Sequence, residues 1–214
     1  LYVAAHLWSV VGRAAPRTPA STPFNFSLQH TMNSSRFRRM LVAVLFTVSG
    51  LFVAGCATPQ VSDYAAEKPV LDLRQYFNGT VEAHGIFRDR GGVIKQRFVV
   101  TMDCRWSGDD GVLDEQFVYS DGSRSRRVWH LRYLGGGRYS GRADDVVGSA
   151  AGETQGNAFR WQYTLKLPVD GREIEVQFDD WMYLMDERVM LNHATMSKFG
   201  VRLGEVQLAF SRRP

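Results

Sequence analysis

Cysteine is the scarcest reactive residue in this 214-residue chain, with two copies, Cys56 and Cys104. Cys56 is committed to a leader junction described below, so no internal disulfide can form and the fold must rest on its core. Metal-binding spacings are also missing. His84, His130 and His193 are the plausible imidazole ligands, yet there is no His-x-His, no Glu-x-x-His and no Cys pair, and no acidic loop has EF-hand spacing. No metal and no cofactor is expected. There is no Gly-x-Ser-x-Gly elbow and no glycine-rich phosphate loop ahead of a helix, which removes the commonest nucleophile and nucleotide signatures. The run Gly135-Gly136-Gly137 reads as a hairpin turn.

Acidic residues are absent from residues 1–55, which hold five arginines: Arg13, Arg17, Arg36, Arg38 and Arg39. The whole-chain charge of +4 therefore belongs to that segment. From Cys56 onward 21 basic residues face 22 acidic ones, a net charge of −1. A nucleic-acid binder would need a basic face on its folded part, so nucleic acid is not an expected partner.

A long hydrophobic run is lacking as well. Leu41 to Val53 is apolar apart from Thr47, Ser49 and Gly50, but the apolar stretch is only about 15 residues, against the roughly 20 that span a bilayer as a helix. It follows the basic stretch Arg36-Phe37-Arg38-Arg39 and precedes the small residues Ala54-Gly55. This is the order of a secretory signal: basic, apolar, then a small-residue cleavage site. The junction Val53-Ala54-Gly55-Cys56 resembles a bacterial lipobox, which makes Cys56 the acyl acceptor and the new N-terminus. Residues 1–31 fit no signal and read as translation upstream of a start at Met32, with 32–55 as the signal peptide. Residue 57 is Ala, not the Asp that commonly retains lipoproteins at the inner membrane. The expected location is the periplasmic face of the outer membrane of a Gram-negative bacterium.

Residues 56–70 read as a lipidated tether and 71–214 as one domain. Such a length carries one ordinary core. Period-two alternation dominates the domain. Phe159, Trp161, Tyr163, Leu165 and Leu167 alternate with Arg160, Gln162, Thr164 and Lys166. Similar rows begin at Val81, Phe98, Ile174 and Val206. Turn signals such as Asp109-Asp110-Gly111, Asp121-Gly122 and Asp170-Gly171 separate them. The reading is an all-β, lipocalin-like, up-and-down antiparallel barrel of eight or nine strands. Short helices are expected near Leu71–Phe77 and Thr195–Phe199. Closure suits such strands because it removes exposed edges. Cys104, on an alternating row, reads as a small buried hydrophobe.

Two acidic pairs stand out, Asp144-Asp145 and Asp179-Asp180. Neighbours on a strand face opposite sides, so one Asp of each pair points inward. An inward carboxylate needs a partner, a buried water or a cation. Either Asp145, Asp180, Asn157 and Asn192 form a polar interior site, or these groups serve turns, bulges and arginine pairs. The aromatic residues Trp129, Trp161, Tyr163 and Trp181 either line a cavity or fill an ordinary core.

Several segments resemble those of a known family of bacterial lipoproteins, domain of unknown function 3833. They are Leu73-Arg74-Gln75-Tyr76-Phe77-Asn78-Gly79, Gly141-Arg142-Ala143-Asp144-Asp145-Val146-Val147-Gly148, Gly156-Asn157-Ala158, Phe178-Asp179-Asp180-Trp181-Met182-Tyr183-Leu184 and Ser197-Lys198-Phe199-Gly200-Val201. The resemblance covers the domain and implies a membrane-attached periplasmic protein with no catalytic residue assigned. The expected function is binding of a small apolar or amphipathic molecule, such as a lipid or fatty-acid derivative. The alternatives are an enzyme acting through the interior Asp/Asn cluster and a purely structural envelope protein.

The anchor is directly testable. Cys56→Ser should abolish incorporation of radiolabelled lipid and leave an uncleaved precursor at the membrane. Normal cleavage and release of that variant would contradict the lipoprotein assignment.

Overall fold

The computed structural model describes residues 58–169 and 171–213, so the leader and Cys56 lie outside the described residues. Among those described, ten strands follow one another: β1 Gly79–Asp89, β2 Ile94–Ser107, β3 Asp110–Tyr119, β4 Arg124–Gly135, β5 Arg138–Arg142, β6 Ala150–Gln155, β7 Ala158–Val169, β8 Arg172–Leu184, β9 Val189–Lys198 and β10 Val201–Arg212. Each pairs antiparallel with the next, and β10 returns to β1 with Ala83 opposite Phe210. The barrel is closed, of the up-and-down kind that the alternation predicts, with ten strands where eight or nine are expected.

The difference lies in β5 and β6. They are short, five and six residues, and beside the single aromatic Tyr139 their inward positions carry Gly141, Ala150 and Gly152, with little apolar signal to count. The small residues are there because Trp161 needs the room. A Cβ on Gly141 would sit 2.7 Å from both Leu131 and the Trp161 ring, and one on Gly152 would sit 2.7 Å from the same ring. The wall repeats this arrangement elsewhere. Gly85 faces Phe98, and Gly111 faces Trp106. Glycine opposite an aromatic ring lets the ring lie flat across the sheet.

Helix is almost absent. α1, Leu73–Tyr76, forms where Asp72 caps it by accepting the Arg74 N–H at 2.9 Å. Its Leu73, with the following Phe77, closes one end of the barrel. The plug is tied in from three sides. Tyr139 donates to Asp72 at 3.2 Å, Tyr76 donates to the Arg188 carbonyl at 3.0 Å, and the Leu71 N–H donates to the Gly156 carbonyl at 2.8 Å. The helix expected at Thr195–Phe199 does not form. β9 runs to Lys198, with Ala194 and Met196 buried in alternation against β10. Order also begins before Leu71. Val61–Tyr64 is a 3₁₀ turn with Val61 buried, and Tyr64 packs on Trp181 and Tyr183. That part of the segment read as a tether is therefore docked on the barrel wall.

Inward residues fill both ends. Phe87, Leu167, Val176 and Met196 are buried beneath the turns opposite the plug. The outer face carries Arg97, Asp103, Arg105, Asp114, Arg126 and Arg132. A membrane-spanning barrel would show an apolar outer band instead.

Candidate ligand-binding cavity

Between the two packed ends lies an internal cavity of about 130 Å³. An eight-stranded barrel is just filled by its own side chains, and added strands widen it. The walls are mostly aromatic and aliphatic. Trp129 meets Trp161 edge to face at 5.7 Å between ring centroids and Tyr163 at 5.3 Å. Tyr163 stacks on Phe178 at 5.1 Å.

The polar groups of the cavity come from five strands. Glu115 on β3 and Arg127 on β4 are cross-strand partners that both face inward. Tyr163 on β7 donates its hydroxyl to Asp180 Oδ2 on β8 at 3.1 Å. Asn192 on β9 also lines the space, with its amide donating to the Trp181 carbonyl at 3.2 Å. Asp145 sits behind this layer, in the loop between β5 and β6. Its Oδ2 accepts both Nε and a terminal nitrogen of Arg127, at 3.1 and 2.6 Å.

The sequence-derived residues thus divide. Trp129, Trp161, Tyr163, Asp180 and Asn192 line the cavity. Asp145 is buried but reaches the site through Arg127. Asn157 and Trp181 do not belong to the interior. Asn157 lies at the β6–β7 turn, where its amide donates to the Leu184 carbonyl at 3.1 Å. Trp181 follows the inward Asp180 and so faces outward. It stacks on Tyr183, with the Arg160 guanidinium 5.1 Å from its ring. His84, His130 and His193 sit on three separate strands, and among the described residues no cluster of metal-ligating side chains occurs.

Glu115 and Arg127 lie outside the two pairs singled out above, although Asp114-Glu115 is itself an acidic pair and a further signal exists. Both occupy inward positions on rows of large apolar residues, and they are symmetric about the Asp121-Gly122 turn.

The electrostatics of the polar side are unbalanced. Three carboxyls, Glu115, Asp145 and Asp180, surround one guanidinium. Burial pushes the Asp180 carboxyl up to about 7, against the Tyr163 hydrogen bond and the Arg127 charge that lower it. Burial likewise raises Glu115 to about 7, opposed by Arg127. Burial also drives the Tyr163 hydroxyl well above its ordinary value. For Arg127, burial disfavours the charge, but Asp145 and Glu115 outweigh it and hold the guanidinium protonated. Asp180 is 7% exposed, and among the described residues its Oδ1 has no hydrogen-bond partner. Glu115 has no hydrogen bond or ion pair within bonding distance there either. Cys104 is simply core, its thiol pushed up to about 12 by burial.

These shifts set the direction of the pH dependence. An acid whose folded pKa is raised keeps its proton when the unfolded chain has lost it, so stability falls as pH rises from about 4 to about 7. The half-buried Asp114 and the exposed Asp186 act oppositely. The Arg126 hydrogen bonds lower the first and the Arg188 N–H lowers the second, so their contribution is lost in acid. Urea unfolding should therefore show greatest stability near about pH 4 and a decline to about pH 7. The double variant Asp180→Asn, Glu115→Gln should flatten that decline. An unchanged slope would place the effect elsewhere.

Comparison with known proteins agrees with this fold. The S-type phycobiliprotein lyase CPES of Guillardia theta is 6% identical, with 73% of this chain and 99% of that chain covered at a TM-score of 0.52. A designed fluorescence-activating β-barrel is 16% identical over 67% of this chain and 99% of its own, at a TM-score of 0.38. No curated protein matches the chain. The profile of the DUF3833 family, proteins of unknown function, matches residues 50–212. With that match spanning the whole barrel, the chain belongs to the DUF3833 family.

Proposed function

We propose that this protein is a lipid-anchored binding protein of the outer membrane, facing the periplasm, whose barrel holds one compact, largely apolar molecule with a polar end. The leader ending in Val53-Ala54-Gly55-Cys56 supports the anchor. The observation that carries the binding reading is the cavity itself, apolar on most sides, with Asp180 in its wall and the Oδ1 of that residue without a hydrogen-bond partner among the described residues. A purely structural barrel gains nothing from a buried carboxyl oxygen left without a donor, because that arrangement costs stability. The lyase of similar fold shares the architecture alone, so the reading rests on the residues of this chain.

The volume narrows the ligand. A dry apolar cavity of ~150 Å³ accepts a benzene-sized molecule, whereas drug-sized ligands occupy roughly 300–1,000 Å³. A single ring or a short branched chain fits the space of about 130 Å³. A long acyl chain requires the Leu73–Phe77 plug to move.

A second reading, acid–base chemistry on the bound molecule, is favoured by the two carboxyls poised near neutrality. Turnover of the bound compound, lost in Asp180→Asn, would distinguish it from simple binding.

The binding reading is tested with residues 58–214, produced without lipid. Toluene or benzyl alcohol should perturb tryptophan fluorescence saturably, because Trp129 and Trp161 form the cavity wall. Ala194, 2% exposed, also lines the space. Ala194→Leu should fill it and weaken binding at least about tenfold, or ~1.4 kcal/mol, with the far-UV circular dichroism unchanged. Binding equal to wild type in a folded Ala194→Leu protein would place the ligand outside the barrel.

A further inference from the structure

We propose that the ligand is an organic cation, a compact apolar body bearing a protonated amine, recognised by Glu115 and Asp180 against the aromatic wall. The proposal rests on the binding reading above and names the ligand's chemical class.

The charge inventory of the cavity carries it. The groups facing the space can be taken element by element. β3 contributes Glu115, β4 contributes Arg127, and β5 contributes Tyr139, whose hydroxyl is bound to Asp72. β7 contributes Tyr163, β8 Asp180 and β9 Asn192. The plug, β2 and β10 present only apolar side chains. Arg127 is the single positive group, and Asp145 already engages it through two hydrogen bonds to one oxygen. Glu115 and Asp180 are then left facing an apolar space with no cation of their own. Tyr163 satisfies one oxygen of Asp180, while the other points to no partner among the described residues.

A protonated amine completes this arrangement. It can donate up to three hydrogen bonds, which carboxyl oxygens accept, and its charge offsets those of Glu115 and Asp180, which act on each other across the cavity. Charge-assisted hydrogen bonds of this kind are about twice as strong as neutral ones. The aromatic wall, which includes Trp129 and Trp161, adds attraction for a cation seated over a ring face. An anionic ligand meets the opposite situation, since the one guanidinium is taken and two further carboxyls repel it. A fatty-acid carboxylate is therefore a poor fit on charge as well as on size. Burial holds both carboxyls up to about 7 in the empty protein. A cation should therefore drive proton release on binding and bind more tightly as pH rises.

The test compares three probes of one shape, benzylamine, benzyl alcohol and benzoate, titrated calorimetrically into the same protein. At about pH 8 benzylamine should bind at least about tenfold more tightly than benzyl alcohol, and benzoate should show no saturable heat. The amine stays protonated down to about pH 5.5, where the advantage should shrink below about threefold because the carboxyls must first lose protons. Asp180→Asn and Glu115→Gln should each reduce the amine-to-alcohol ratio. Alcohol binding as tight as or tighter than amine at about pH 8, or preference for benzoate, would overturn the cation proposal and leave the binding reading standing. No binding of any probe to the folded protein would overturn both.

Discussion

The buried pair of Arg127 and Asp145 is the interaction on which the interior depends. A guanidinium inside a barrel is tolerated only with a hydrogen-bonded counter-charge, and removing one partner of such a pair typically costs roughly 3–5 kcal/mol. Asp145 supplies that partner at 2.6 Å from the loop between β5 and β6. The same loop is tied to β7, where the Lys166 N–H donates to the Asp145 carbonyl and the Val147 N–H to that of Thr164. The pair therefore pins the one irregular stretch of wall and uses up the cation of the cavity. Glu115 and Asp180 are left uncompensated as a direct consequence.

Steric constraints in the wall are linked to this chemistry. Trp161 can lie flat because Gly141 and Gly152 give it space, and its position in turn sets Trp129 and Tyr163. Tyr163 then delivers its hydroxyl to Asp180. The route from a glycine on β5 to a carboxyl on β8 runs through packed rings and a single hydrogen bond. The fold places its small residues where rings must fit and leaves the remaining volume at the centre, between the Leu73–Phe77 plug and the packed far end.

The barrel was readable because alternation on long strands is a strong signal, as in the Phe159–Leu167 row. β5 and β6 were not, because they are short and a single inward Tyr139 among glycine and alanine makes no apolar period. Parity alone puts Asp180 inside, beside Phe178. The same parity puts Trp181 outside, so the two cannot share an interior site on a regular strand. Asn157 belongs to a turn, where polar residues serve the backbone. Asp145 could be read as inward, but its partner could not. Arg127 lies on β4, the neighbour of β5, and meets Asp145 where the β4–β5 register runs on past the end of β5, beyond any regular strand. Glu115 is visible as half of the acidic pair Asp114-Glu115, whereas Arg127 becomes visible only when a charged residue on an apolar row is given weight.

The central claim is that the cavity contains carboxyls without a compensating charge. Carbon-13 NMR of the labelled Asp and Glu side chains, titrated in the ligand-free barrel, measures this directly. Because Asp180 and Glu115 interact, their midpoints belong to the pair. The account requires two carboxyl resonances, assigned by Asp180→Asn and Glu115→Gln, to titrate near about 7. Midpoints for both in the ordinary range, near about 4, would show that the interior already balances its charge, and would contradict it.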